Sequence, residues 1–504
     1  MNSQDDRLSR RNLWSYTLGS IGRDTAVYMF SAYLLTFALY TKTLTDAQFS
    51  VMSMAMIAAR VLDGVSGPVM GNILDVTRTK WGKFKPWIFI GTVLCSIVYY
   101  ISFTNSLDGW SYVTLFAIVY FVYSIVFNMN DISYWGMLPS LASGKEDRDL
   151  LTSRAVLFAG IGEALASVVV PTFTAGELVI GGSAVRAYAV IVVVFVVLFA
   201  GMQGITLFGV KEKPLPPAAT IDKVSLRTIF GIIKNNDQLM WCMVIYLFLT
   251  VSSGLINSVL GMNYIYFEFG YNGLLFTIFS ALGAGASAVV MLFFTPISKR
   301  FTRDQLMRLS LLGVVVGSGF MFLTGLLVPG GAGALSLKFV LMMFGNLFAF
   351  TGQNIFYLVI TICISNTIEY NQWKTGARAE GIIYAVRPLI TKVGYALTQG
   401  IVLVAFLLTG LTRFTNQIAD FENRAEQGLI SGTQKTAGIE TVLAGVPAGK
   451  STALLFCITI VPSLLALIAY YLYNKKFTIT EARYEEILVD LKEREITASA
   501  PSQC

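Results

Sequence analysis

One uncharged apolar run constrains this chain more than any other feature. Residues 187–210 contain no charged side chain. As a helix rising ~1.5 Å per residue, the run extends for about 36 Å, beyond the ~30 Å hydrocarbon core of a bilayer. A helix inside a soluble domain has no use for such a length. We therefore expect an integral membrane protein.

The composition supports this expectation and extends it to the whole chain. Hydrophobic residues make up 55% of the 504 residues and charged residues only 13%, whereas soluble domains contain roughly 25% charged residues. The apolar runs predict an all-α, polytopic protein with twelve transmembrane helices at residues 13–40, 46–74, 86–104, 110–139, 150–175, 187–210, 238–267, 273–297, 305–328, 337–367, 381–411 and 451–474.

The distribution of lysine and arginine predicts the orientation. Most of the 37 basic residues lie in segments that are cytoplasmic if the N-terminus is inside. An even number of spans then places both termini in the cytoplasm, with the protein in the cell inner (plasma) membrane. The net charge of +7 follows from this asymmetry and implies no nucleic-acid partner. The N-terminal segment has no A-x-A-like cleavage site, so we expect the first span to be retained.

The long polar connection at residues 211–237 divides the spans six and six. We predict an N-terminal bundle at 1–210, a cytoplasmic central loop at 211–237, a C-terminal bundle at 238–474 and a cytoplasmic tail at 475–504. Two bundles around a central site are a common transporter plan. The tail should contain an amphipathic helix that packs through Tyr484, Ile487, Leu488 and Leu491.

The side-chain inventory argues against a metal site, a bound cofactor and an enzyme. The five cysteines have no ligand spacing, and the chain has no histidine. Proton chemistry must therefore use carboxylates. We find no nucleotide-binding loop and no nucleophile–base pair.

Ionisable side chains inside the predicted spans are the strongest functional signal. Each costs on the order of 2.5–3.5 kcal/mol at mid-helix, so they must pair or line a polar cavity. Structural ion pairs that lock helices together remain the alternative for each. The residues are Arg23, Asp24, Arg60, Asp63, Asp131, Arg154, Glu163, Arg387 and Lys392.

Two of the acids belong to polar stripes that also carry an aromatic ring. Residues three or four apart share a helix face. A carboxylate can accept two sugar hydroxyls while a nearby ring packs against the C–H face of a pyranose, so the stripes suggest a sugar site. They are Ser124, Asn128, Asp131 and Trp135 on the fourth span, and Ser20, Asp24 and Tyr28 on the first.

Several motifs resemble a known transporter family. SIGRDTAVYMF, ARVLDGVSGPVMGNILDVTRTKWGKFKPW, NDISYWGMLPS and EYNQWKTGARAEG are similar to the glycoside–pentoside–hexuronide:cation symporters, the melibiose permease-like branch of the major facilitator superfamily. The similarity runs from about residue 12 to 490. It implies the major facilitator fold, with two six-helix bundles.

The resemblance assigns substrate roles to residues in the first half of the chain. Asp24 and Asp131 match the acceptors of sugar hydroxyls, and Trp135 matches the stacking tryptophan. Arg23 and Arg154 match cationic groups at the same site.

It also assigns coupling and gating roles. Asp63 matches a cation-binding carboxylate, beside Ser66, and Lys392 matches the lysine that balances the charged cluster. Tyr357 lies where the family has an aromatic residue on the tenth span. The GNILDVTRTKWGK segment resembles the superfamily's gating motif, which implies gating roles for Asp75, Arg78 and Lys80.

Two departures from the family pattern modify these expectations. Gly67 replaces a second acid of sodium-coupled members, and Asn128 replaces a hydroxyl residue. A lone carboxylate in a low-dielectric cavity suits reversible protonation, so we favour coupling to protons at Asp63, with sodium as the alternative. Arg387, followed by Pro388, replaces an uncharged pair on the eleventh span. Arg387 could bind an anionic substrate such as a hexuronide, or pair with Glu163 or Glu369.

The sequence therefore predicts a monomeric transporter that carries a sugar or glycoside together with a cation by alternating access. Two other functions stay open: transport of a lipid-like or other amphiphilic solute, and a non-transporting membrane sensor.

Overall fold

The computed structural model describes residues 8–142, 144–212, 231, 233–330, 336–376 and 380–499. Within these residues the chain forms helices and loops, with one isolated β-bridge between Thr79 and Gly82. The all-α prediction is thereby confirmed. Most of the predicted central loop, residues 213–230, lies outside the described residues.

The helices follow the predicted order. They are α1 (Arg10–Thr41), α2 (Asp46–Val76), α3 (Lys85–Thr104), α4 (Gly109–Leu141), α5 (Lys145–Thr174), α6 (Ala184–Gly209), α7 (Asp237–Ile256), α8 (Val259–Phe269), α9 (Gly273–Arg300), α10 (Arg303–Leu327), α11 (Leu337–Thr375), α12 (Glu380–Thr409), α13 (Thr412–Glu426), α14 (Gly432–Ala444), α15 (Ala448–Lys476) and α16 (Glu481–Ser499).

Length and composition identify ten candidate membrane spans among the described helices, with α7 and α8 counted as one. Helices α1 and α2, with 32 and 31 residues, are not among these ten but are long enough to cross a bilayer. With them, the helices match the positions of the twelve predicted spans. Large apolar side chains on these helices stay exposed, such as Val197 at 66% and Phe208 at 75% on α6. Such a surface suits lipid, because lipid tails are as apolar as the side chains themselves.

The chain divides into two compact units. The first contains Met1–Ile221, Met262–Ile278 and Gln399–Ser451; the second contains Asp222–Gly261, Phe279–Thr398 and Thr452–Cys504. In the second unit, α10 and α11 approach closely at Gly317, where a Cβ would meet the carbonyl oxygen of Gly345 at 2.6 Å. Small residues at such contacts are typical of helix packing in membranes.

The C-terminal helix packs as its stripe predicts. Ile487 on α16 is only 1% exposed and joins the core of the second unit, and Tyr484 and Leu491 pack against that core. The indole nitrogen of Trp373 on α11 donates to Asp490 at 2.9 Å. The tail therefore forms a helix with one side packed against the core of the second unit.

Segment 412–450, which lies between the last two predicted spans, forms α13 and α14 and belongs to the first unit. We call residues 412–444 the cap. At its centre Glu422, fully buried, lies 3.2 Å from the ammonium group of Lys435, and it accepts the backbone N–H of Ala184 at 2.7 Å. Asn416 exchanges two hydrogen bonds with the backbone of Leu44. The cap is thus fastened to the ends of α1, α2 and α6.

The buried pair in the cap allows a test of stability. Burial raises the pKa of Glu422, and the nearby Lys435 ammonium opposes that rise. In a Lys435→Met variant the carboxylate would lose its counter-charge, a change that costs about 3–5 kcal/mol for buried pairs. Since a carboxyl with a raised pKa stabilises the folded state at low pH and loses that contribution as pH rises, we expect the melting temperature to fall more at about pH 7.5 than at about pH 5.

Lys450→Met is the matched control, because the Lys450 ammonium lies over the Phe414 ring, 4.8 Å from its centroid, in the same segment. This control should change the melting temperature little at either pH. An equal loss for Lys435→Met at both pH values would contradict the assignment.

Candidate functional site

A buried arginine joins two acids from different helices in the first unit. The Arg23 guanidinium on α1 contacts the adjacent Asp24 carboxylate with Nη2 at 2.9 Å and Nε at 3.1 Å. Its Nη1 lies 3.1 Å from Oδ1 of Asp131 on α4. Two carboxylates and one guanidinium leave a net charge of −1. The structure therefore brings together three of the predicted substrate residues.

Aromatic rings hold the Arg23 guanidinium in place. Its Cζ lies 4.6 Å from the ring centroid of Tyr134 and 5.1 Å from that of Trp135. Tyr134 in turn stacks on Tyr16 at 4.5 Å, and the Tyr16 hydroxyl donates to the Tyr134 carbonyl at 2.9 Å. Such cation–π contacts are worth about 2 kcal/mol or more when desolvated. The Arg23 guanidinium is therefore fixed by side chains of both α1 and α4.

The carboxylates remain accessible although the arginine is not. The Arg23 side chain is 3% exposed, whereas the side chains of Asp24 and Asp131 are 13% and 33% exposed. Arg23 therefore positions the two carboxylates and neutralises part of their negative charge from the buried side of the cluster. The free lone pairs of the two acids can accept hydroxyl groups of a polar solute.

A second carboxylate site surrounds Asp63 on α2. Arg60 lies 3.5 Å from one carboxylate oxygen, and Ser124 and Asn128 on α4 both donate to the other, Asn128 at 3.3 Å. The Asn128 amide also donates to Ser66 at 2.6 Å. Arg60 and Ser66 lie on α2, three residues before and three residues after Asp63, and Ser124 and Asn128 lie on one face of α4. The structure thus groups the predicted coupling residues Asp63 and Ser66 with Asn128.

The partners of Asp63 act as donors in this arrangement, which bears on which cation could bind. A sodium ion needs several oxygen ligands, and here Arg60 already supplies the positive charge that faces the carboxylate. Among the described residues, no group of three or more histidine, cysteine or acidic side chains could hold a metal ion. Arg60, Ser124 and Asn128 each present a donor group to the Asp63 carboxylate.

One face of α4 lines both carboxylate sites. Tyr120 accepts from Arg60 at 3.2 Å, and Ser124 and Asn128 follow at four-residue spacing to contact Asp63. Asp131 and Trp135 continue the same stripe to Arg23. Because these residues share one rigid helix, a shift of α4 displaces both sites together.

Three further residues that the sequence places at a sugar site make other contacts in the first unit. They are Arg154, Tyr28 and Ser20. The Arg154 guanidinium lies 5.4 Å from the Trp14 ring centroid. Tyr28 packs edge-on against Tyr33 at 6.1 Å. Ser20 donates to the Ala155 carbonyl at 3.0 Å, so it joins α1 to α5.

In the second unit, the Arg387 guanidinium lies 5.0 Å from the ring centroid of Tyr357, so that α12 and α11 present this pair together. Lys392 is partly exposed one turn further along α12. Arg387 and Tyr357 are thereby adjacent.

The predicted gating segment has a partner that the sequence analysis missed. The Glu212 carboxylate, just after α6, accepts backbone N–H groups of Lys83 at 2.9 Å and Lys85 at 3.1 Å, at the N-terminus of α3. A helix N-terminus favours such an anion. Gly82 has φ +113, and a Cβ there would lie 2.5 Å from Glu212. The sequence feature that could have predicted this contact is the acidic residue Glu212 just after the sixth predicted span.

Of the three predicted gating residues, two are exposed and one has a side chain outside the described residues. Arg78 donates to the Thr77 carbonyl at 2.9 Å, and both Arg78 and Lys80 are exposed. The Asp75 side chain lies outside the described residues.

The role of Arg23 can be tested by removing its charge. In Arg23→Met, two acids would face each other without a counter-charge, so we expect a loss of about 3–5 kcal/mol in stability together with loss of solute binding. Arg23→Lys restores the charge but not the bidentate contact, and should recover stability only in part.

Melting temperature and solute affinity measure these effects. Arg186→Met is the control, because Arg186 forms an ion pair with Glu426 while 54% exposed, and such pairs contribute little. An Arg23→Met variant with the stability of the control would contradict the positioning role.

Several known proteins are similar to this chain in sequence. A lactose permease from Lactobacillus helveticus is 26% identical over 504 residues, which covers 95% of this chain and 71% of the relative. A raffinose carrier protein from Pediococcus pentosaceus is 27% identical over 492 residues, with 95% and 70% covered. A glucuronide carrier protein homolog from Escherichia coli (strain K12) is 24% identical, with 97% of each chain covered.

The fold is also similar to a solved bacterial homolog of the human lysosomal transporter Spinster, with a TM-score of 0.60, 11% identity, and 92% and 97% of the two chains covered. A proton-dependent oligopeptide transporter structure has a TM-score of 0.57 and 11% identity, with 92% and 99% covered. Residues 15–480 match the family described as MFS/sugar transport protein. The chain therefore belongs to this family of membrane transporters, and its resemblance to the glycoside–pentoside–hexuronide:cation symporters of the major facilitator superfamily is confirmed.

Proposed function

We propose that this protein carries a sugar or glycoside across the membrane in symport with a proton. The observation that carries the proposal is the single face of α4 that contacts both the Asp24–Arg23–Asp131 cluster and the Asp63 site. The names of the relatives, which include lactose permease, raffinose carrier and glucuronide carrier, support a glycoside as the solute.

The chemistry of the first cluster suits sugar hydroxyls. Asp24 and Asp131 offer carboxylate oxygens, which form hydrogen bonds stronger than those between neutral groups. The Trp135 ring beside them offers an apolar surface for the C–H face of a pyranose. Neutralisation by Arg23 lowers the cost of keeping two acids close together.

Coupling between proton and sugar would follow because α4 contacts both the Asp63 site and the Arg23 cluster. Protonation of Asp63 would remove the negative charge that Arg60, Ser124 and Asn128 now contact. These contacts would rearrange, and because Asn128 and Asp131 lie on the same helix, the sugar site would change with them. If the proton raises sugar affinity, the sugar must raise proton affinity by the same factor.

We assign transport to alternating access around a midplane site, as is common for transporters built from repeated bundles. Symport then requires that the loaded carrier changes conformation more readily than the half-loaded one. We further propose a cell inner or plasma membrane location, both termini in the cytoplasm and function as a monomer.

The solute class can be tested with Trp135→Ala in proteoliposomes. Loss of the ring surface should lower the rate of lactose or raffinose uptake at least about tenfold, in line with about 1.4 kcal/mol of lost contact. Trp110→Ala, at a position 56% exposed, is the matched control and should leave uptake unchanged. Undiminished flux in Trp135→Ala would favour an amphiphilic solute, and binding without flux in the unmodified protein would favour a sensor.

The coupling ion can be tested with imposed gradients. An inward proton gradient should drive sugar accumulation, and a sodium gradient at constant pH should not. Asp63→Asn should abolish accumulation while sugar still exchanges across the membrane, because a neutral side chain imitates the protonated state. Asp108→Asn, at a side chain 68% exposed, is the control. Accumulation that requires sodium and ignores pH would contradict proton coupling.

A further inference from the structure

The cap and the first turn of α15 surround an open cavity of ≈ 760 Å³. Its lining residues lie between Arg413 and Lys450, so all of them belong to the first unit. Binding sites for small molecules commonly measure about 300–1,000 Å³. The cavity therefore has room for a ligand that is much larger than a water molecule.

The cavity carries an excess of positive charge. The charged side chains that line it are Arg413, Asp420 and Lys450. Asp420 lies 3.8 Å from the guanidinium group of Arg424, one turn along α13, so its negative charge is already balanced. In the described part of the chain, neither Arg413 nor Lys450 has an acidic partner. Two cations are therefore available to an anionic ligand.

The position of Lys450 is fixed by contacts that leave its charge in place. Its ammonium group lies 4.8 Å from the ring centroid of Phe414, which is itself only 8% exposed. An aromatic ring attracts a cation but does not neutralise it. Lys450 also lies in the first turn of α15, and the N-terminal end of a helix carries partial positive charge. Both features favour an anion at this point.

The two cations lie where two candidate membrane spans end. Helix α12 ends at Thr409, and α15 begins at Ala448. Arg413 follows Thr409 by four residues, and Lys450 follows Ala448 by two. The last turn of α12 presents Leu408, which is 83% exposed. Cations next to an exposed apolar span end match a phospholipid, whose phosphate lies just outside its acyl chains.

We propose that this cavity binds the phosphate group of an anionic phospholipid from the leaflet next to the cap. The Arg413 guanidinium can contact two phosphate oxygens at once, and the Lys450 ammonium adds a point charge. Gln417, which also lines the cavity, supplies a neutral amide donor. The site would attach the cap to the bilayer, and it does not depend on which solute is carried.

Other classes of ligand fit the lining side chains less well. A metal ion would meet two cations, and Asp420 is already paired with Arg424. A neutral sugar would gain nothing from the charge of Arg413 and Lys450. A soluble phosphate ester carries the same anionic group as the lipid, but it makes no use of the exposed end of α12. The chemistry common to the two remaining ligands is therefore a phosphate group.

The test measures lipid binding to the purified full-length protein in detergent by native mass spectrometry. Phosphatidylglycerol is compared with a diacylglycerol of the same acyl chains, which lacks the phosphate. Because each basic residue strengthens the binding of an anionic headgroup by about fivefold, we expect a preference for phosphatidylglycerol of at least about tenfold. Arg413→Gln and Lys450→Gln should each reduce this preference by about fivefold, and the double variant should abolish it.

Arg186→Gln is the matched control. It removes a cation from the same unit, but Arg186 is paired with Glu426 and does not line the cavity. The preference for phosphatidylglycerol should therefore stay within about twofold of that of the unmodified protein. Without added lipid, all of these variants should melt at nearly the temperature of the unmodified protein. If the double variant melts lower, the two single variants decide the test.

Glycerol phosphate distinguishes a lipid from a soluble ligand. If it binds as tightly as phosphatidylglycerol, and the double variant loses this binding, the lipid assignment is wrong and the ligand is a soluble phosphate. Equal binding of phosphatidylglycerol and diacylglycerol to the unmodified protein overturns the phosphate site. So does a preference that survives in the double variant, or one that falls equally in Arg186→Gln.

Discussion

The pairing of the buried Arg23 guanidinium with Asp24 and Asp131 is the interaction on which the first unit depends. Charges at membrane depth are tolerated only when they are paired or solvated. The arginine is enclosed by Tyr134 and Trp135, so its position is fixed by packing as well as by charge. It keeps two acids close together that would otherwise repel each other, and leaves their outer oxygens available to a solute.

Helix α4 connects the Arg23 cluster to the Asp63 site. Its side chains at three- and four-residue spacing face α1 near Asp131 and α2 near Asn128. A rigid helix cannot adjust one of these contacts without affecting the other. The coupling proposed above between Asp63 and the Arg23 cluster would therefore need no long pathway, only a change in how one helix packs against two neighbours.

The two units offer contrasting chemistry. The first concentrates charge, in the Arg23 cluster and around Asp63, whereas the second contains a cavity whose lining side chains, among them Gln353, are uncharged. Charged acceptors give stronger hydrogen bonds than neutral ones. The cap adds a further buried pair, Glu422 with Lys435, which fastens segment 412–444 to the first unit.

The sequence by itself determined the membrane class, the helices and the polar face of α4, because apolar length and helical spacing are local properties. It also predicted Asp24 and Asp131 as substrate-binding residues. Only the tertiary structure decided that Arg23 lies buried between these acids, that Glu212 caps α3, and that Gln353 faces a cavity. The partner of a charged or polar side chain depends on which helices pack together, and that arrangement arises from contacts between residues far apart in the chain.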